Sequence, residues 1–294
     1  MPPVWRISPS KSWSFDRPRL LAILNLTPDS FSDGGELSTP QAAADAARRA
    51  IDAGADGLDL GGESTRPGSL PVPAAEQVHR VVPGLSAIRR AIGDKPVITI
   101  DTTLSAVAAA ALDTGADAVN DTSAGLDDPA ILALCAARRR GIILMHRLRP
   151  PREDVYSDRY PPTPGGPEPI ASDADIVHTI GEFLARRALA AIQAGIPAAS
   201  IVLDPGLGFG KTVEQNLELI RRTSELAALG YPILSGLSRK SFVGRFMSLE
   251  NGGTPKDRVC GSVDLSLQHL AAGASIFRVH DVAEHAAGLN KCHE

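Results

Sequence analysis

A single-domain α/β fold, the (β/α)8 or TIM barrel, is what this 294-residue sequence predicts. Eight short apolar runs alternate with Ala-rich stretches of helical period almost throughout, the pattern of parallel strands joined by crossover helices. The repeat is about 30 residues, as eight βα units closed into one barrel require. The rival is an open doubly wound sheet, which uses fewer strands and usually begins with a G-x-G-x-x-G turn. No such turn follows the first apolar run.

Strands are expected at residues 20–26, 57–60, 97–100, 118–120, 142–145, 201–203, 233–236 and 276–279, each an apolar run bounded by turn residues. Helices are expected at 39–53, 74–91, 104–114, 129–139, 173–194, 212–229, 257–272 and 282–289. Ser38 or Thr39 followed by Pro40 opens the first helix, and Gly54, Gly115, Gly195, Gly230 and Gly273 stand where helices should stop. The barrel would span residues 19–290, behind an N-terminal extension of residues 1–18 placed to plug its N-terminal end. Two segments break the rhythm. Residues 147–170 are rich in Pro, Arg, Asp and Tyr and lack apolar periodicity; a connection that long is usually functional or mobile. Residues 245–256, containing Gly252-Gly-Thr-Pro255, interrupt the seventh unit.

Composition narrows the function. A net charge of −4 supplies no basic field for nucleic acid or for an acidic membrane surface. No apolar run approaches the roughly 20 residues of a membrane span, and the N-terminus lacks the charged start and apolar centre of a signal peptide. Cys135, Cys260 and Cys292 are odd in number, widely spaced and without a C-x-x-C pair. Reduced thiols in a cytoplasm fit that usage better than a disulfide framework or a zinc site.

In a barrel, the residues at the C-terminal ends of the strands form the site. Here they are Asn25, Asp59 with the following 63–66 segment, Asp101, Asn120 with Asp121, His146, Asp204, Ser238-Arg-Lys240, and Arg278 with His280. All eight ends are polar or charged. After the first strand, Asn25-Leu-Thr-Pro-Asp-Ser-Phe-Ser-Asp-Gly-Gly35 is too dense in amide, hydroxyl and carboxylate groups for a mere connection. Asp101, Asn120 and Asp204 together suit a ligand with several N–H donors: an amino-pyrimidinone edge, a protonated amine or a metal. Asp101 alternatively caps the next helix.

The loop Asp204-Pro-Gly-Leu-Gly-Phe-Gly-Lys-Thr212 misses the G-x-x-x-x-G-K-[ST] spacing because residue 205 is Pro. Its glycines instead permit close approach to a flat ligand that Phe209 can line. Ser238–Lys240, Arg278 and His280 put cations at the corner where barrels commonly hold phosphate, and Arg66 can join them. Lys240 can equally reach inward to a ring. Asn25 with Asp29 or Asp33 offers hard oxygen ligands for Mg²⁺, provided a ligand's phosphates complete the shell. His146 is either a lining residue or a core histidine, and His79, His178, His269, His285 and His293 are expected at the surface. No Ser/His/Asp triad or zinc-spaced cluster stands out.

Across residues 20–289 these motifs resemble the dihydropteroate synthase family. The matching stretches are Leu24–Gly35, Gly61-Gly-Glu-Ser-Thr-Arg-Pro-Gly68, Ile100-Asp-Thr102, Asn120-Asp121, Leu144-Met-His146, Leu203–Thr212, Gly236-Leu-Ser-Arg-Lys-Ser-Phe242 and Arg278-Val-His-Asp-Val282. The resemblance implies a transferase joining 4-aminobenzoate to 6-hydroxymethyl-7,8-dihydropterin diphosphate with release of diphosphate. It implies Asp101, Asn120, Asp204, Lys240, Met145 and Phe209 around the pterin, and Asn25, Arg66, Arg278 and His280 around the diphosphate, with Asn25 on Mg²⁺. Thr65, Pro67, Ser241, Ser30 and Phe31 would surround 4-aminobenzoate, Asp101, Lys240 and Arg66 would carry catalysis, and the chain would pair as a homodimer. The Thr-Thr-Leu-Ser after Asp101, the Arg-Leu-Arg-Pro-Pro after His146 and Gly261-Ser262 depart from the family pattern. Two other readings compete: a methyltetrahydrofolate-binding methyltransferase barrel, and a catalytically silent paralogue that binds a pterin.

Overall fold

Successive strand residues point to opposite sides of a sheet, so every apolar run must divide between the barrel interior and its helix-covered exterior. The computed structural model describes residues 4–27, 39–160 and 175–290. It begins with an antiparallel hairpin, β1 (Val4–Ser8) and β2 (Lys11–Ser14). Eight parallel strands follow: β3 (Arg19–Asn25), β4 (Gly57–Gly61), β5 (Val97–Asp101), β6 (Ala118–Asp121), β7 (Gly141–Met145), β8 (Ile201–Asp204), β9 (Leu234–Ser235) and β10 (Ile276–Val279). Their order is β8-β7-β6-β5-β4-β3-β10-β9. A parallel bridge between Leu203 and Ile233 brings the two edges together into a nearly closed barrel. All eight expected strands form, each end within one residue of expectation.

The outer layer is α1 (Pro40–Asp52), α2 (Ala74–Ile92), α3 (Ser105–Thr114), α4 (Ala130–Arg138), α5 (Ile176–Gln193), α6 (Val213–Arg221), α7 (Thr223–Ala227), α8 (Ser241–Phe246), α9 (Val259–Ala271) and α10 (Val282–Asn290). Start signals act as the sequence implies: Thr39 Oγ1 accepts from Ala42 N at 3.1 Å, and Thr212 forms a capping box with Gln215. Three expectations need correction. The single helix at 212–229 is two, because Thr223 Oγ1 bonds back to the Leu219 and Ile220 carbonyls and Arg222 leaves helical geometry (φ −106°, ψ 22°). The irregular 147–170 segment forms 3₁₀ turns at Pro151–Glu153 and Ser157–Arg159, while 161–170 lies outside the described residues. His269 and His285 are fully buried rather than at the surface, their ring Nδ1 atoms meeting Ser235 Oγ at 2.9 Å and Asp281 O at 2.7 Å. Burial pushes His269 down to about 3, so that ring is neutral, and burial also lowers His285.

The strand residues facing the helices, such as Leu58, Leu60, Ile98 and Ile100, join one large core. Those facing inward at the bottom of the barrel, including Leu21, Val97, Ala118, Ile143, Val202 and Ile276, form a second core closed from below by Trp5, Ile7 and Trp13 of the hairpin. The two indoles meet edge to face at 5.5 Å, and Trp5 Nε1 donates to Ser200 O at 3.1 Å. Lys11 adds an ion pair to Asp117 at 2.8 Å. Above this apolar floor the interior turns polar, and the change happens within single strands.

Trp5 is fully buried and fills space beside Gly141, where any Cβ would meet its ring. Trp5→Ala should therefore cost about 3–5 kcal/mol of unfolding free energy in urea titration; a loss under about 1 kcal/mol would show that the hairpin does not close the core.

Candidate active site

Strand register sets the geometry of the upper interior. Asn25, Gly61, Asp101 and Asn120 lie at one level across β3 to β6, since Asn25 pairs with Gly61, Gly61 with Asp101, and Asp101 with Asn120. One pleat lower on the same face are Asp59 and Thr99, themselves paired. Met145 and Asp204 share a level between β7 and β8.

Arg278, from β10, binds both levels: its Nε bonds the Asp59 carboxylate and its Nη2 bonds Asp101 Oδ2 at 2.6 Å. Asp59 is fully buried and accepts two further bonds, from Thr99 Oγ1 and from Asn120 Nδ2 at 3.0 Å. A carboxylate can only accept, so it orients the Asn120 amide with its NH₂ inward. Asn120 Oδ1 is then left buried with no partner among the described residues. Burial raises Asp101 to about 7 against the pull of Arg278, with the like charges of Asp59, Asp121 and Glu63 acting in the same direction as burial. Burial opposes the charge on Arg278, but Asp59 and Asp101 outweigh it and hold the guanidinium protonated.

The glycine-rich loop after β8 folds around a buried ammonium. Lys211 Nζ bonds Gly206 O at 2.8 Å, Phe209 O at 3.0 Å and His146 Nδ1 at 3.0 Å. Gly206 takes φ +67° and approaches so closely that a Cβ would strike the His146 carbonyl. Burial, then Lys240, lowers Lys211 to about 7; burial, then Lys211, lowers His146 to about 2. His146 is thus a neutral acceptor that buttresses the loop, its ring edge-on to Phe183 at 4.7 Å. Asp204 Oδ1 accepts from Gly206 N at 2.7 Å, and burial raises its pKa. Lys240 Nζ bonds Leu207 O and sits 3.9 Å over the Phe209 ring, with burial lowering it to about 7 against the pull of Asp204.

Beside these groups lies a field of positive charge. Burial lowers His280 to about 3, and Arg239, Arg278, Arg66 and Lys240 lower it further, so it stays neutral with Nδ1 against Ser238 Oγ at 3.1 Å. Arg239 is clamped on Asp281 at 2.9 and 2.5 Å, a structural pair. Arg66 stands exposed on the loop after β4, whose foot is held by Glu63 accepting from Val72 N at 2.9 Å and Gln77 Nε2 at 2.8 Å. Thr65, Pro67 and Asn25 are half-buried at the rim, and Ser241 is buried at the start of α8. Ser30, Phe31, Asp29 and Asp33 lie outside the described residues. A cavity of about 380 Å³ opens at this rim between Glu63, Ser69, Asp127 and Pro151, and of the strand-end groups only Glu63 and Ser64 line it.

Two expectations are corrected here. Asp121 does not face the mouth, because Ser123 N, Ser123 Oγ and Gly125 N occupy its carboxylate in a turn. Asp101 does not cap α3, whose Ser105 N is taken by Asp128 at 2.8 Å. Asp59 stands among the strand-end residues, but strand-end reasoning assigned it no partner, whereas the structure pairs it with Arg278 and Asn120. A period-2 reading had the signal, since Asp59 and Thr99 stand two residues before Gly61 and Asp101. Lys211 gave no comparable signal, because its partners are loop carbonyls. Among the described residues no three His, Cys, Asp or Glu side chains are grouped to hold a metal ion.

The family model for pterin binding enzymes matches residues 21–280. A dihydropteroate synthase from Synechocystis sp. is 41% identical over 269 residues, covering 90% of this chain and 86% of that protein. A crystal structure of Xanthomonas albilineans dihydropteroate synthase with 4-aminobenzoic acid superposes with a TM-score of 0.84 at 36% identity, covering 99% of this chain and 97% of that one. The same organism's enzyme in complex with 7,8-dihydropteroate gives 0.79 at 35% identity, covering 96% and 95%.

Replacing Asp59 by Asn leaves Arg278 one carboxylate and frees the Asn120 amide to turn over. Asp59→Asn should destabilise the fold by at most about 3 kcal/mol, because Asp101 still faces Arg278. Calorimetric affinity for an amino-pyrimidinone ring should drop by about tenfold or more; unchanged affinity would confine Asp59 to a scaffold role.

Proposed function

We infer the reaction from the premise that the chain belongs to the pterin-binding enzyme family. It is a transferase of folate synthesis that condenses 6-hydroxymethyl-7,8-dihydropterin diphosphate with 4-aminobenzoate, yielding 7,8-dihydropteroate and diphosphate. One observation carries the reading at the level of residues: the three acceptor side chains Asp101, Asn120 and Asp204 converge beside the basic side chains of Arg278, Lys240 and Arg66 and the neutral donor His280. The first set matches the N–H edge of a pterin. The second matches the anion that leaves it.

Departure of diphosphate breaks the C–O bond with both electrons going to the leaving oxygen, so a pterin methylene cation develops opposite a growing negative charge. In this reading the Asp101 carboxylate, held by Arg278, faces the cation, while Arg66, Arg278 and the neutral His280 donate to the leaving group. Asn120 Oδ1 accepts from the ring's N–H groups and Asp204 does the same from the opposite wall. Lys240 donates to a ring acceptor from its place over Phe209, with Met145 beneath. The amine of 4-aminobenzoate, placed by Thr65, Pro67, Ser241, Ser30 and Phe31, attacks the methylene carbon and then loses a proton to solvent. An aromatic amine is nucleophilic as the free base, so positioning and electrostatics supply the rate and no dedicated base is needed.

Asn25 offers one neutral oxygen at the end of β3, alongside Gly61 and Asp101. That is too little for Mg²⁺ alone but fits an ion whose remaining ligands are diphosphate oxygens and water. Bound there, Mg²⁺ would neutralise charge on the leaving group. A cytoplasmic homodimer belongs to the same reading, supported by the family resemblance and by the free thiols of Cys135 and Cys260. No helix among the described residues is long and apolar enough to cross a membrane.

Diphosphate release should require 4-aminobenzoate and Mg²⁺ together, stop on chelation and resume when Mg²⁺ is restored. Absent release with intact pterin binding would indicate a silent paralogue, and methyl transfer to a corrinoid would indicate the methyltransferase. Arg66→Ala should weaken pterin diphosphate by about tenfold while leaving bare pterin within about twofold; equal losses would misplace the anion corner.

A further inference from the structure

The segment after β7, residues 147–160, crosses the rim of the barrel and grips the glycine loop. Asp154 is buried there. Its Oδ1 accepts from Tyr160 OH at 2.8 Å and from Val155 N at 2.9 Å, and its Oδ2 accepts from Gly210 N at 2.9 Å. Gly210 sits at φ +68°, and the Leu148 side chain occupies the space a Cβ there would need. A second tie runs through Asn216, whose Oδ1 accepts from Gly208 N at 2.6 Å while its Nδ2 donates to Ser157 Oγ at 3.1 Å. At its other end the segment reaches the Arg66 loop, where Gly68 N donates to Pro151 O at 2.8 Å.

We propose that Asp154 is a positioning residue for the pterin site, acting through Gly210 and Lys211 on the wall that carries Phe209 and Lys240. This rests on the pterin-binding reading above. Gly210 immediately precedes Lys211, whose ammonium draws the Gly206 and Phe209 carbonyls together. Pinning the Gly210 N–H therefore fixes where that ammonium sits, and with it the Phe209 ring under Lys240 Nζ. Among the described residues the Gly210 N–H has no acceptor but Asp154, so releasing it loosens the whole turn. Nothing in a glycine-rich stretch would hold this shape unaided, because glycine carries the largest backbone entropy.

The test compares Asp154→Ala, Asp154→Asn and Tyr160→Phe by steady-state kinetics and by calorimetric titration with bare 6-hydroxymethylpterin. Asp154→Ala should raise the KM for pterin diphosphate and the Kd for bare pterin by about tenfold, with the KM for 4-aminobenzoate within about twofold. Asp154→Asn should recover most of the loss, since its amide oxygen still accepts from Gly210 N and its NH₂ can donate to the Tyr160 oxygen. Tyr160→Phe should shift pterin affinity about threefold in the same direction. The proposal is overturned if pterin affinity is unchanged in Asp154→Ala, if both KM values rise equally, or if Asp154→Asn is as impaired as Asp154→Ala. Should Asp154→Ala fail to fold, unchanged pterin affinity in Tyr160→Phe overturns it instead. Wild-type protein that binds bare pterin without releasing diphosphate would refute the reaction, and the Kd comparison would still judge Asp154.

Discussion

The ion pair of Arg278 with two carboxylates on adjacent strands is the constraint on which the site depends. Asp59 and Asp101 sit on β4 and β5 inside a barrel, where an unpaired charge would be costly. One guanidinium against two carboxylates leaves the cluster a negative charge in excess, and burial raises Asp101 in response. That surplus suits a site built to face a developing cation. The same arrangement orients Asn120 through Asp59, so one buried carboxylate governs both the charge and the hydrogen-bond polarity of the ligand wall.

This cluster is viable because the barrel is divided along its axis. The N-terminal hairpin seals the lower interior with indole and aliphatic groups, which keeps water from entering beneath the polar levels. Above, the interior is lined by groups whose partners are one another. Low polarisability on one side and extensive pairing on the other, with Asn120 Oδ1 left open, give the electrostatics their strength. The two lysines near the glycine loop show the same effect, both lowered to about 7 by burial. One is spent on carbonyls that shape the loop, and the other is left over an aromatic ring at the mouth.

Much of this was legible in the residues. Strand ends fell within one residue because short apolar runs between glycine and polar turns leave little freedom for register in a parallel sheet. The polar groups closing those runs, Asn25, Asp101, Asn120, Asp204 and Arg278, are the ones the barrel gathers at its C-terminal face. Less legible were residues whose role depends on who faces them. Asp121 and Asn120 are neighbours in sequence with opposite orientations, so one builds a turn and the other faces the interior. His269 and His285 lie on helices that read as amphipathic, yet their faces turn inward.

The sequence alone therefore determined the fold class, the strand ends and the chemical character of the mouth, since these follow from local periodicity and from residue type. Tertiary structure decided the pairings: Arg278 with Asp59 across the interior, Lys211 with His146, and Asp154 with Gly210. Each joins residues from separate βα units, and hydrogen bonds and charges are short-ranged enough that only closure of the barrel brings such groups within reach.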